Sequence, residues 1–211
     1  GMRHLAPSAR GAARRVAIPR AVWTGGELRW ASRRDCAGRR GILASRSTRE
    51  DGMPEFASNE IETAWGQLES ALNQLVGLTG GLDGDQLNWR PVTGPRADED
   101  ANSLYVLASH ALGVAEQATL FMLCREPGER DRAAEFASSG QTSEALEGRW
   151  ASLRERIPAS LSRIPATALI ETFEHPVRGT ESGRQLLVAT ITHVSSHLGH
   201  AELTRDLIPD A

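Results

Sequence analysis

The sequence predicts an all-α fold, a four-helix bundle with crossover connections, and three observations carry that prediction. Apolar residues recur every three or four positions in four separate stretches between Ile61 and Ala201. The second and third connections between those stretches are long, which suits crossovers better than a plain up-and-down array. With 211 residues, 40% of them hydrophobic and 24% charged, the chain has enough apolar side chains for one sizeable core.

The first stretch opens at Asn59 with Glu62 three residues on, a helix-start box, and continues through Ile61, Trp65, Leu68, Leu72, Leu75 and Leu78 until Gly80-Gly81 ends it. A polar connection follows, containing Leu87–Pro91 and a loop at Gly94 and Pro95. Asn102-Ser103 caps the second helix, whose stripe is Leu104, Leu107, Ala111, Val114 or Ala115, Ala118 and Met122, with Pro127-Gly128 as the stop. A charged, Ser-rich linker leads to Thr142-Ser143. The third helix then runs through Leu146, Trp150, Leu153, Ile157, Leu161 and Ile164; Pro158 is expected to kink or divide it, because proline lacks the donor needed there. After a short irregular passage, FEHPVRG, the fourth helix runs from near Glu181 to Leu207 with Leu187, Ile191, Val194, Leu198 and Ala201 inward.

Charge is distributed unevenly. Residues 1–52 hold twelve arginines against four carboxylates, a net of +8, so the remaining 159 residues carry −11 of the formal −3 total. An acidic globular part argues against nucleic acid as a partner, since phosphate binding needs clustered cations. The Arg-rich arm 1–52 has no sustained apolar period. Gly1 ahead of Met2 reads as a tag-cleavage remnant, and the abrupt change at Met53 favours a start at Met53 with a non-native upstream extension; a disordered or weakly docked basic arm is the main alternative, and the Arg-rich composition also suits a transit peptide or a nucleic-acid-binding tail. Residues 53–211 then form the bundle. Two cysteines, Cys36 and Cys124, make no CxxC or disulfide framework, which fits a reducing cytoplasm. Leu104–Cys124 is mostly apolar but contains His110, Glu116 and Gln117, so it reads as a buried helix and no membrane anchor is expected.

Three of six histidines crowd into the fourth helix: His193, His197 and His200. Offsets of four and seven residues, about 400° and 700° of rotation, set them on one face. A pair one turn apart can reach a single cation, and imidazole is a common metal ligand near neutral pH. A bare HxxxH pair also arises as a surface or core arrangement without metal. His110 adds weight, because an imidazole among Leu107, Ala111, Leu112 and Val114 needs a buried partner; a metal shared with the fourth helix, or a backbone carbonyl, would provide one. Gly113 would let another helix approach closely. His200 reads as partly exposed, His175 lies beside Pro176 in a loop, and His4 lies in the arm.

Taken in order, LNWRP at Leu87–Pro91, NSLYVLASHALGVAE at Asn102–Glu116 and HVSSHLGHAEL at His193–Leu203 resemble the DinB/YfiT-like superfamily of metalloenzymes, over essentially all of Met53 to Leu207. The resemblance implies a four-helix bundle, often a homodimer, holding a divalent metal at His110, His193 and His197. Where many members follow the histidine pair with Arg-Gly-Gln, this chain has Leu198-Gly199-His200, so only the glycine carries over. Related branches include transferases and isomerases that use low-molecular-weight thiols such as mycothiol or bacillithiol.

The expected function is therefore a metal-dependent thiol S-transferase or thiol-dependent isomerase acting on a small electrophilic substrate. Three neutral nitrogens leave coordination positions open, and a thiol bound there would lose its proton. Zinc fits best, with nickel or iron acceptable to the same ligands. Glu116, Glu202 and His200 are candidates for orienting an imidazole or moving a proton. Two alternatives stand beside this reading: a metal-dependent hydrolase, and a non-catalytic metal-binding or interaction protein with a structural ion.

Overall fold

The computed structural model describes residues 54–91 and 101–209. The arm 1–52, the transition at Met53 and the loop at Gly94 and Pro95 lie outside the described residues. Helix α1, Asn59–Gly77, is capped by Ser58, whose Oγ accepts the Ile61 amide at 3.2 Å. The cap is thus one residue earlier than the Asn59 expected from sequence, and the helix closes at Leu78, before the Gly80-Gly81 pair. Gly81 takes a positive φ of 74°, a turn conformation that glycine adopts freely. What reads as a polar connection begins with a short helix, α2, Gly84–Asn88, held by a reciprocal Asp83–Gln86 capping box.

Helix α3, Leu104–Glu116, has Ser103 as its cap, with Oγ accepting the Val106 amide. Every residue from Leu104 to Ala115 is buried, so the expected one-sided stripe gives way to a helix enclosed on all sides. Such a helix needs no polar face, which is why its sequence is apolar nearly throughout. It continues without a break as a π-helical segment, Gln117–Leu123. Arg125 then takes a φ of 55° while the Glu126 amide reaches back to the Leu120 carbonyl, 2.9 Å away. The span Leu104–Leu123 is long and apolar enough to cross a bilayer, and 78% of its most apolar window is buried against the rest of the chain.

The Ser-rich linker also contains a helix, α4, Arg132–Phe136, capped by Asp131. Helix α5, Glu144–Leu161, keeps Pro158 inside it, so proline does not divide it. Pro158 removes one donor, and the chain still completes a last turn in which its carbonyl accepts the Ser162 amide. Ile164 falls beyond the helix end. After a 3-10 turn at Ala166–Leu169, the passage expected to be irregular forms an antiparallel hairpin, β1 Thr172–His175 with β2 Gly179–Ser182. His175 pairs with Gly179, whose φ of 78° turns the chain. Helix α6, Gly183–Leu207, starts from a Ser182–Gln185 capping box.

The protein is mostly helical. Helix α1 packs on α6 and α5, and α3 packs on α6, α5 and α1, so the four long helices share one core. Ile61, Leu68, Leu72 and Leu75 meet Leu112, Leu120, Leu153 and Ile157 there, and the Trp65 and Trp150 rings lie 6.3 Å apart. Each such fully buried aliphatic side chain contributes about 1.5–3 kcal/mol. That packing fixes where α3 and α6 face each other.

Candidate metal centre

His193 and His197 stand one turn apart on α6, and His110 projects from the middle of α3. Because α3 and α6 pack directly together, the three imidazoles meet through their edges. His110 Nε2 lies 3.1 Å from His193 Nε2, and His197 Nε2 lies 3.0 Å from the same atom. Three ligand atoms, one from each ring, fall within 4.8 Å of one another. The His110 and His193 ring planes stand at 89° and 87° to that of His197. The atoms that converge are ring nitrogens.

This donor set fits a divalent cation. Each nitrogen–nitrogen contact needs one N–H and one lone pair if it is to be a hydrogen bond, and no carboxylate stands among the three converging atoms. A shared cation uses all three lone pairs at once, and a tetrahedral site with bonds of ~2.0 Å sets its donors ~3.3 Å apart. His197 Nδ1 is buried without a hydrogen-bond partner among the described residues. His193 and His197 are only partly buried, so solvent reaches part of the cluster.

Electrostatics keep these rings in the form that can ligate. Burial is the main cause that lowers the His193 pKa, with repulsion from its neighbours His110, Arg130, Arg178 and Arg132 acting in the same sense. For His197, burial and then His193, His110 and His200 push it down to about 4. Both rings are neutral near pH 7.

His110 itself is held from two sides by α4. The Glu135 carboxylate accepts from Nδ1 at 3.0 Å, and the Phe136 ring lies against the imidazole with centroids 4.6 Å apart. Arg130 donates to both Glu135 oxygens, Nε to Oε1 at 2.7 Å and Nη2 to Oε2 at 2.5 Å, and its Nη1 donates to Gln117 Oε1 at 3.1 Å. Burial would raise the Glu135 pKa, but the Arg130 and His110 hydrogen bonds outweigh it and the carboxyl ionises below its ordinary range. Sequence reasoning misses Glu135 and Arg130, since both sit in what reads as a solvated linker. The available signal was the buried imidazole's need for a partner, which identified the need and not the residue.

The other sequence candidates take different positions. Glu116 is paired with Arg149 at 3.1 Å and Arg156 at 3.2 Å on α5. His200 is exposed, its ring 6.0 Å from that of His197, and Glu202 is exposed on the same helix. His175 is in the hairpin, where its Nδ1 accepts the Val177 and Arg178 amides. Gly113 does permit a close approach, made by the α4 carboxylate in place of a bundle helix. Burial pushes the Cys124 thiol up to about 12, so it stays protonated.

Among curated proteins nothing matches the chain. The family comparison is decisive by contrast: residues 67–201, which contain α3, α4 and all three converging imidazoles, match the DinB superfamily. On that match over well over half its length, the chain belongs to the DinB superfamily.

Proposed function

We propose that this protein is a metal-dependent enzyme built on a four-helix bundle of the superfamily's type, transferring a low-molecular-weight thiol to a small electrophile or using such a thiol to isomerise one. The convergence of His110, His193 and His197, the last two only partly buried, carries the proposal. A divalent cation held there, zinc by preference, supplies a Lewis acid that favours the anion of a bound thiol or water at neutral pH. His110, His193 and His197 would hold the cation through Nε2. Glu135 keeps a proton on His110 Nδ1, leaving Nε2 free as a donor atom. Phe136 limits water on one face of that ring.

The choice of an external thiol rests on Cys124. It is the sole cysteine among the described residues, and its burial suppresses the thiolate a nucleophile needs. The decisive experiment is turnover of an activated haloarene or epoxide by zinc-loaded protein, with and without added small thiol. Thiol-dependent product formation, lost in His193→Ala, is the expected result. Product formed by hydrolysis without thiol replaces this reading with a hydrolase. Zinc that raises the melting temperature with no turnover of either kind makes the ion structural.

A further inference from the structure

We propose that Glu135, seated by Arg130 and by the missing side chain of Gly113, is the positioning residue that sets the tautomer of His110 and thereby the metal affinity of the centre. The proposal rests on the reading of the three histidines as metal ligands and extends it to residues that do not touch the cation.

The first observation is burial with commitment. Glu135 is 5% exposed and His110 5% exposed, so the carboxylate–imidazole contact at 3.0 Å is shielded from water. A buried charge persists only when its lone pairs are satisfied. Glu135 meets that condition through Arg130, 12% exposed, which grips both carboxylate oxygens and is itself anchored to Gln117. On helix α3 and its π-helical continuation, His110, Gly113 and Gln117 are spaced three and four apart and share a face, so this one face carries the imidazole, the gap and the anchor.

The second observation is the gap. A Cβ at Gly113 would lie 1.7 Å from Glu135 Oε1 and 2.5 Å from its Cδ. The carboxylate therefore occupies volume that any other residue at position 113 would claim. Space on α3 has been given up to a charged group whose contacts are His110 and Arg130. A packing role alone would be met at lower desolvation cost by an apolar side chain.

The third observation fixes direction. Arg130 Nη2 also lies 2.9 Å from His110 Nδ1, and one nitrogen cannot both donate to Glu135 and accept from Arg130. Donation to the carboxylate prevails, because it is charge-assisted and because a bare Nδ1 lone pair would face a negative oxygen at 3.0 Å. With the proton on Nδ1, Nε2 presents its lone pair toward His193 and His197. Without Glu135, Arg130 would donate to Nδ1 and drive the proton onto Nε2, where it blocks ligation.

The test uses the full chain with Glu135→Gln and Gly113→Ala. The second variant leaves Glu135 chemically intact and displaces its carboxylate toward the adjoining cavity of about 240 Å³, lined by Glu116, Arg130 and Arg149. Two readouts apply to each folded variant: zinc affinity by competition with a chromophoric chelator, and the His110 tautomer in metal-free protein by 15N imidazole NMR. The parent is expected to carry the His110 proton on Nδ1. Both variants are expected to lose it from that site and to bind zinc about 10–100-fold more weakly, the usual cost of removing a metal ligand's hydrogen-bond partner. Parent-like zinc affinity and tautomer in both variants overturn the role of Glu135 while leaving the metal reading intact. A parent that binds no zinc overturns the metal reading and the proposal with it.

Discussion

Acidifying the metal-free protein places a measurable load on the histidine cluster. His197 titrates at about 4 in the folded chain, below the 6.5 of an ordinary imidazole. The folded pKa lies under the unfolded one, so between those two values the unfolded chain binds more protons and stability falls as pH falls. Moving from pH 8 to pH 5 lets the unfolded imidazole protonate almost fully while the folded one stays neutral, which removes about 2 kcal/mol through His197 alone. His193 and His175, both lowered, act in the same direction. Glu135 acts later: its folded carboxyl also lies low, so its contribution is present above the ordinary 4.5 and is lost only below it. The assay is urea unfolding followed by circular dichroism at pH 8, 7, 6 and 5, at constant ionic strength with a chelator present. The expected curve declines by about 2 kcal/mol or more, mostly below pH 6.5, and His197→Gln flattens it by the His197 share. A parent stability that stays level from pH 8 to 5, or a variant with the parent's slope, refutes the reasoning.

Three further outcomes follow from the same geometry. Zinc at a hundredfold excess over its dissociation constant stabilises the parent by about 2.7 kcal/mol in denaturant unfolding, and His110→Ala abolishes that increment. Gly183→Ala sets a methyl 2.2 Å from the Ala168 carbonyl oxygen, a backbone atom that cannot swing aside, and costs about 1–3 kcal/mol in the same assay. In a Cys36→Ser background, Cys124 resists iodoacetamide at pH 8 in native protein and reacts after denaturation, as its pKa of about 12 requires.

The four long helices were legible because each one leaves a three-and-four repeat or a cap in the sequence. Ser103 and the apolar run after it identify α3, and HxxxH on α6 fixes two imidazoles at one helical turn. His110 was legible through its surroundings, since a polar ring in an apolar stretch must have a partner. Glu135 was not. Its five-residue helix is too short for any periodicity, and its burial is decided by space at Gly113, more than twenty residues away in sequence. The hairpin was hidden for a related reason: of Thr172–His175 only Phe173 is buried, so no alternating pattern marks it. Pro158 is the converse case: of the two effects expected of it, division of the helix does not occur, because it sits buried one turn from the end of α5, where the chain runs on to Leu161.

The segment Gln117–Leu123 has a consequence for comparing this chain with its relatives. A π-helical turn accommodates one residue more than an α-turn, which amounts to an insertion absorbed without a loop. Side chains after it are rotated by about 100° from where an unbroken α-helix would direct them. Homologues lacking the wide turn should therefore align here with a single-residue gap inside a helix. Their counterparts of Leu120 and Leu123 would be found one column away from where a gapless alignment puts them.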